Sequence, residues 1–212
     1  PNMSVTYEKA FELLGGEAEL MKYKKVSCKK QAEVNSPEVV AELKHLFPRD
    51  YTKRLGFSML LVNQPYVRDL DTLYIKSSEV HAPFAATLKT LADKYGAEAM
   101  VPPLKARLRA EMKAHHKYKD VNGVAWHRLT DIVRGTLAFG DLKSLYAGVD
   151  DIITYFNGNV KEYNDRYLEP LEGGYRDIQM VVQFQGVMCE LQLNTRLMLN
   201  AKKTTGHRDF EV

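Results

Sequence analysis

The order of helical and strand patterns along the chain predicts an α+β fold, in which a mixed β-sheet is flanked by helices. Residues 1–100 carry mainly the helical spacing of apolar residues. Residues 101–212 carry one strand and one helix, then three strands, then a final helix. We therefore expect a mostly helical N-terminal region at 1–100, whose role the sequence leaves open, and an α+β domain at 101–212.

The predicted elements of the first half are helices. Apolar residues at near-helical spacing over 5–25 are interrupted by the glycine pair at 15–16, which predicts two short helices. Ser36 before Pro37 is typical of a helix start, because Ser can cap the first turn and Pro lacks only an N–H that the helix would not use. Helices are predicted over 36–47, 52–61, 68–77 and 81–95.

Alternation of polar and apolar residues marks the strands of the second half. Asp141 precedes an amphipathic run and is the expected N-cap of a helix over 141–156. After the last strand, apolar residues at helical spacing begin another helix at Arg196. Strands are predicted over 130–139, 160–167, 177–184 and 187–194.

Composition and charge are ordinary for a globular protein. The chain has 212 residues, of which 45% are hydrophobic and 27% charged, and its formal net charge is +3. This balance does not predict general polyanion binding, so any basic patch must be local. Cys28 and Cys189 form no metal or redox motif and are expected to be free thiols. No membrane span or signal peptide is visible, and the opening Pro1 suggests either a trimmed start or a domain cut from a longer protein.

A row of polar residues follows one face of the last predicted strand. Glu190, Gln192 and Asn194 alternate with leucines, so a carboxylate and two amides share a face. Tyr175 lies in a glycine turn before the neighbouring strand. An aromatic side chain on such a turn can stack on any nucleobase. The row is equally typical of a solvated sheet face, and the pattern alone does not decide between the two.

A basic segment lies within 105–119. On a helix, four-residue steps place Arg109, Lys113 and Lys117 along one side, where they can bind a polyphosphate. The same pattern is typical of a solvated basic helix, and an RNA-binding surface is a further alternative. The sequence contains no GxxxxGK[ST] phosphate-binding motif, no GxSxG motif and no zinc-ligand spacing.

The segments GYRDIQ at 174–179 and ELQLNT at 190–195 resemble the synthetase domain of the RelA/SpoT family. That family has Gly-Tyr-x-x-x-His and Glu-x-Gln-x-Arg-Thr, whereas this chain has Gln179 for the His and Asn194 for the Arg. The resemblance covers about 105–207 and implies a nucleotidyltransferase-like fold. It also implies a pyrophosphokinase, which moves the β,γ-pyrophosphate of ATP to the 3′-hydroxyl of a nucleotide. No His-Asp pair of the kind needed by the family's hydrolase domain occurs in the first hundred residues.

The resemblance assigns a role to each candidate site residue. Asp131 and Glu190 would be the catalytic carboxylates and the ligands of Mg²⁺, the implied cofactor. The residues that would bind ATP are Lys105, Arg107, Arg109, Lys113, Lys117 and Arg134. The residues that would bind the acceptor nucleotide are Tyr175, Arg176, Gln179, Gln192 and Asn194.

The acceptor stays open at this point, because a neutral amide at Gln179 weakens any contact to an acceptor phosphate. GDP or GTP is one candidate and an adenosine nucleotide is another. An alternative is a toxin or effector of the same family that modifies adenosine nucleotides or tRNA 3′ ends and is neutralised by an immunity or antitoxin protein. A catalytically inactive nucleotide-binding domain is a further alternative. The expected site of action is the cytoplasm, reached by delivery if the protein is an effector, and no membrane partner is expected.

Overall fold

The structure is a computed structural model that describes residues 3–35, 63–65, 67, 69–121 and 123–204. Its helices are α1 (Met3–Leu13), α2 (Gly16–Val34), α3 (Leu70–Asp93), α4 (Arg107–Lys117), α5 (Leu142–Phe156) and α6 (Arg196–Thr204). Its strands are β1 (Glu98–Met100), β2 (Lys119–Asp120), β3 (Gly123–Val124), β4 (Arg134–Phe139), β5 (Val160–Asp165), β6 (Ile178–Phe184) and β7 (Val187–Thr195).

Five of the strands form one mixed sheet in the order β1-β4-β7-β6-β5. Strands β4 and β7 run parallel, while the other neighbouring pairs run antiparallel. Strands β2 and β3 form a separate two-stranded sheet. The α+β fold with a mixed sheet and flanking helices, predicted from the sequence, is confirmed.

The two faces of the large sheet differ in character. On one face, paired apolar residues such as Leu137 and Leu193 are buried against the helices. On the other face, paired positions carry polar side chains, as where Gln192 lies beside Gln179. We call this second surface the polar face, defined by Arg134, Thr136, Glu162, Asn164, Gln179, Glu190 and Gln192.

Helix α3 lies close to the sheet because β4 carries a glycine beneath it. A Cβ at Gly135 would lie 2.2 Å from Leu88 Cδ1. The helix continues through Pro83, whereas the sequence predicted two helices, over 68–77 and 81–95. Its buried residues recur at helical spacing along its whole length, so packing on the sheet outweighs the local cost of the proline.

The first two helices are separated at the glycine pair, as predicted. The helices predicted over 36–47 and 52–61 lie outside the described residues. Strand β1 was not predicted, and it pairs with β4 although it belongs to the region expected to be helical. Helices α1, α2 and α3 pack into the same hydrophobic core as the sheet. The predicted division of the chain into two regions near residue 100 therefore stays a prediction that concerns function. Among the described helices, none has the length and apolar character needed to cross a membrane.

Candidate active site

Two carboxylates meet where the parallel strands β4 and β7 lie side by side. Asp131 precedes β4 and is 8% exposed, while the half-buried Glu190 lies on β7 opposite Arg134. The Glu190 N–H donates to the Val133 carbonyl at 3.0 Å, which ties the two segments together. Strand pairing therefore brings together the two carboxylates that the resemblance assigns to Mg²⁺.

Two lysines neutralise Asp131. Lys113 Nζ lies 2.7 Å and Lys105 Nζ 3.0 Å from Asp131 Oδ2. Burial acts to raise the pKa of Asp131, but the two ammonium groups outweigh burial and hold that pKa below its ordinary value. Burial raises the pKa of Glu190, and the negative charge of Asp131 raises it further. We call these four residues the carboxylate cluster.

Two buried polar atoms at this cluster have no hydrogen-bond partner, namely Asp131 Oδ1 and Arg134 Nε. An unpaired buried oxygen is costly and calls for an explanation, such as a ligand that completes it. In the described part of the chain, no group of three or more His, Cys, Asp or Glu could hold a metal ion. Mg²⁺ commonly uses one or two carboxylates and completes its shell with water and substrate phosphates. Asp131 and Glu190 therefore fit a magnesium ion whose shell is completed by water and phosphate oxygens.

The side chain of Gln64 fixes the spacing between the two carboxylate-bearing segments. Its carboxamide accepts from the Met188 N–H at 2.8 Å and donates to the carbonyls of Met188 at 2.8 Å and Leu129 at 3.0 Å. Met188 and Leu129 lie two residues before Glu190 and Asp131, respectively. Gln64 is 2% exposed, so these bonds are shielded from water. Sequence analysis missed Gln64, because its partners are backbone groups that any sequence provides.

Of the other residues assigned to ATP, Arg107, Arg109 and Lys117 lie on α4 and Arg134 lies on β4. Arg107 forms ion pairs with Asp71 at 2.6 Å and with Glu111 at 3.1 Å. Arg109 and Lys117 are exposed on the helix. Of the residues assigned to ATP, only two reach Asp131 in the described part of the chain. The remaining cations of α4 form a basic border on the helix that carries Lys113.

Two amides assigned to the acceptor lie on the polar face beside the cluster. Gln179 and Gln192 occupy paired positions on β6 and β7. Gln179 Oε1 accepts from Asn164 Nδ2 at 2.7 Å, and Asn164 Nδ2 also donates to Glu162 Oε1 at 2.5 Å. The polar face thus extends onto β5, which sequence analysis missed. Alternation of polar residues within the predicted strand over 160–167 was the available signal.

Tyr175 is covered in this structure by the N-terminal helix. The residue is 5% exposed, and its ring packs edge-on against Tyr7 of α1 with the centroids 5.5 Å apart. Lys202 Nζ lies 4.7 Å from the centre of the same ring. The Tyr175 hydroxyl accepts from Asn194 Nδ2 at 2.9 Å. Stacking of a nucleobase on this ring therefore requires α1 to move.

Asn194 and Arg176 are engaged beneath the same helix. Asn194 is fully buried, and its amide oxygen accepts from the Tyr167 hydroxyl at 3.0 Å. The Arg176 guanidinium lies 3.8 Å from the centre of the Phe11 ring and donates to the Tyr167 carbonyl. An acceptor nucleotide can contact Asn194 only after neighbouring side chains move. In this conformation both residues stabilise the turn under α1.

Replacing Gln64 by Ala is expected to lower the free energy of unfolding by about 1–3 kcal/mol, because it leaves buried backbone groups of Met188 and Leu129 unpaired. Urea denaturation measures this loss. Gln183→Ala, at a half-buried glutamine of β6, is the matched control. An equal loss in both variants would contradict the role given to Gln64.

Replacing Lys113 by Met is expected to raise the pKa of Asp131 and to lower stability in a pH-dependent way. A folded-state pKa below the unfolded value stabilises the fold above the unfolded value, about 3.9, and this stabilisation is lost as the pH falls through the folded value. The destabilisation at pH 7 should stay below the roughly 3–5 kcal/mol seen when a buried pair loses a partner, because Lys105 still neutralises Asp131.

Urea denaturation between pH 7 and pH 3 measures this difference, with Lys117→Met on the same helix as the control. The gap between the wild type and Lys113→Met should close as the pH falls below about 4. A gap that stays constant over this range would show that Lys113 does not act through the charge of Asp131.

No family model matches the sequence, and no curated protein sequence matches it. Solved structures do match. The small alarmone synthetase 1 from Bacillus subtilis, bound to its product pppGpp, matches with a TM-score of 0.53 and 16% identity over 65% of this chain and 78% of that chain. A GTP pyrophosphokinase family protein from Streptococcus pneumoniae matches with a TM-score of 0.51 and 16% identity over 66% and 76%. The Type VI effector Tas1, in complex with its immunity protein, matches with a TM-score of 0.49 and 19% identity over 65% and 75%.

At such identities, the likeness to the two synthetase-family structures with TM-scores above 0.5 is evidence of fold. It agrees with the mixed sheet and its flanking helices. The resemblance of the turn and strand motifs is thereby confirmed at the level of the fold. The chain has the fold of the RelA/SpoT-like alarmone synthetases.

Proposed function

We propose that the protein is an ATP-dependent pyrophosphokinase. It transfers the β,γ-pyrophosphate of ATP to the 3′-hydroxyl of a nucleotide and releases AMP. With GDP or GTP as acceptor the products are (p)ppGpp, and with an adenosine nucleotide they are (p)ppApp. The carboxylate cluster carries this proposal: Asp131 lies just before β4 and Glu190 lies on the neighbouring strand β7 of a synthetase fold, with Lys105 and Lys113 bound to Asp131.

The reaction asks mainly for positioning and charge neutralisation, because phosphoryl transfer needs little covalent chemistry from the protein. The acceptor 3′-oxygen forms a bond to the β-phosphorus of ATP, and the bond from that phosphorus to the α,β-bridging oxygen breaks. The bridging oxygen leaves with AMP. In this proposal the proton of the 3′-hydroxyl is taken up by a carboxylate of the cluster.

Asp131 and Glu190 are the residues that would hold Mg²⁺, which supplies neutralisation of the phosphate charge when bound. Lys105 and Lys113 lie within 3.0 Å of Asp131, and in this proposal they share their charge with the triphosphate. Arg134 begins β4 next to the cluster, and its unpaired Nε can donate to a phosphate oxygen. The exposed cations of α4 would bind the rest of ATP at the border.

The acceptor is proposed to bind on the polar face next to Gln192 and Gln179. Tyr175 serves as its stacking platform once α1 has moved. Both amides are neutral, so they can select hydrogen bonds of a base but add no charge for phosphates. Which base the acceptor carries is therefore decided by contacts outside the carboxylate cluster. An immunity or antitoxin protein remains a predicted partner if the acceptor proves to be adenosine or tRNA.

Incubation of the protein with Mg²⁺ and ATP, alone and with GDP, GTP, ADP, AMP or tRNA, tests the reaction. We expect AMP and one pyrophosphorylated product, identified by chromatography and mass spectrometry. Glu190→Gln should lower the rate at least about 100-fold, because it removes a charge placed for the transition state. Gln185→Glu, at an exposed turn of the sheet, is the control for a glutamine–glutamate exchange.

Each product has a separate meaning. A guanosine tetra- or pentaphosphate identifies an alarmone synthetase. An adenosine product or a modified tRNA identifies the effector alternative. Absence of AMP under every condition, with nucleotide still bound, contradicts the enzyme proposal and leaves a nucleotide-binding domain.

Replacing Tyr7 by Ala tests whether Tyr175 is the platform. The change removes the edge-on contact that holds α1 over Tyr175, so the KM for the acceptor should fall about 2- to 10-fold while the KM for ATP stays unchanged. Steady-state kinetics measures both constants. Tyr23→Ala is the control, because it removes an aromatic contact of similar size that does not involve Tyr175. Tyr23 stacks on Tyr146 with the centroids 4.7 Å apart. Equal effects of the two variants, or an unchanged acceptor KM, would count against Tyr175.

A further inference from the structure

An arginine lies at the far end of the polar face from the carboxylate cluster. Arg166 follows β5 and continues the alternation of Glu162 and Asn164, so it belongs to the same surface. Its N–H donates to the Asp177 carbonyl at 2.9 Å, which extends the pairing of β5 with β6 by one step. The polar face therefore has cations at both ends, the lysines of the cluster at one and Arg166 at the other.

Asp177 holds the Arg166 guanidinium in a fixed orientation. Arg166 Nε lies 2.5 Å from Asp177 Oδ1, and Nη2 lies 2.8 Å from Oδ2, which is a bidentate pair. The Asp177 side chain is fully buried, whereas 22% of the Arg166 side chain is exposed. A guanidinium has five N–H donors, and this pair uses two of them. The other N–H donors of Arg166 can therefore bind a ligand on the polar face, and the side chain is exposed enough for that ligand to reach it.

The turn that carries Arg166 is itself rigidly held. Asp165 Oδ1 accepts from the N–H groups of Tyr167 at 2.9 Å and Leu168 at 3.2 Å. Asp165 Oδ2 accepts from the hydroxyl of Tyr146 at 2.8 Å, on the core side of β5. The backbone around Arg166 is thus fixed from below, and its side chain is fixed by Asp177. Such pre-organisation is what a binding residue needs, because little freedom is lost when the ligand arrives.

The charge of Arg166 acts within the candidate site. Its positive charge lowers the pKa of Glu190 and of Glu162, although burial is the larger effect on both and raises their pKa. Gln179, by contrast, is neutral and its carbonyl oxygen is bound by Asn164. Arg176 lies against Phe11.

We propose that Arg166, oriented by Asp177, binds the 5′-phosphates of the acceptor nucleotide at the β5 end of the polar face. The inference rests on the proposed function, because it names the residue that selects a phosphorylated acceptor for that reaction. A fork of N–H donors matches phosphate oxygens, and Gln179 cannot supply the charge. ATP, at the opposite end, does not depend on Arg166.

Binding measured by calorimetric titration tests this role of Arg166 and does not require turnover. The protein is first saturated with Mg²⁺ and α,β-methylene-ATP, which cannot release its β,γ-pyrophosphate, and is then titrated with GDP, ADP, guanosine and adenosine. Arg166→Gln should weaken binding of the preferred nucleoside diphosphate about 10- to 100-fold and leave the matching nucleoside unchanged. Arg166→Lys should give an intermediate loss, since an ammonium keeps the charge without the fork. Binding of the ATP analogue should change less than about twofold.

Folding needs a separate check, because Arg166→Gln alone leaves Asp177 buried without its partner. The double variant Arg166→Gln with Asp177→Asn replaces the ion pair by two amides and removes that buried charge. It should lose diphosphate binding to the same extent as the single variant. Lys161→Gln, on the same strand, is the control and should bind as the wild type.

The outcomes separate this proposal from the reaction itself. If the wild type forms AMP but neither Arg166 variant changes diphosphate binding or acceptor KM, the role of Arg166 is wrong and the pyrophosphokinase stands. If no acceptor yields AMP but diphosphate binding still depends on Arg166, the reaction is wrong and the phosphate site stands. If the loaded wild type binds diphosphate no better than the nucleoside, the Arg166 proposal is overturned.

Discussion

The parallel pairing of β4 with β7 is the constraint on which the rest of the site depends. It places Asp131 and Glu190 side by side in a partly buried setting, where two like charges need compensation. Two lysines from the segment before β4 provide it. The position of α4 is therefore set by the charge of Asp131 as well as by its own buried residues, Ala110 and Ala114.

The way in which that charge is compensated favours ligand binding over stability. Both lysines bind Asp131 Oδ2, and Oδ1 is left buried without a partner. An ion pair that served only the fold would gain by satisfying both oxygens. Arg134, which begins β4 and is paired with Glu190 across the strands, likewise has an unpaired buried Nε. An unsatisfied carboxylate oxygen and an unsatisfied cationic donor, three residues apart in the chain, are complementary to a metal-bound phosphate.

Features that depend on local patterns could be predicted from the sequence, whereas features that depend on contacts between distant residues could not. Strands β4 to β7 and the Asp141 cap arise from local patterns, and the structure has them within a few residues of the predicted bounds. Gln64 was missed because it binds backbone groups, which impose no residue type on its partners. The contact of Tyr7 with Tyr175 joins distant parts of the chain, so no local pattern indicates that the ring is covered.

The two ends of the polar face are stabilised by different parts of the molecule. The Asp131 end depends on the parallel strands and on Gln64, whereas the other end depends on α1 and on the turn that carries Tyr175. The shared fold fixes the strands and hence the relative positions of Asp131 and Glu190. It does not fix α1 or Gln179, which lie where an acceptor would be chosen. In the proposed reaction, acceptor preference can therefore change without any change at the carboxylates.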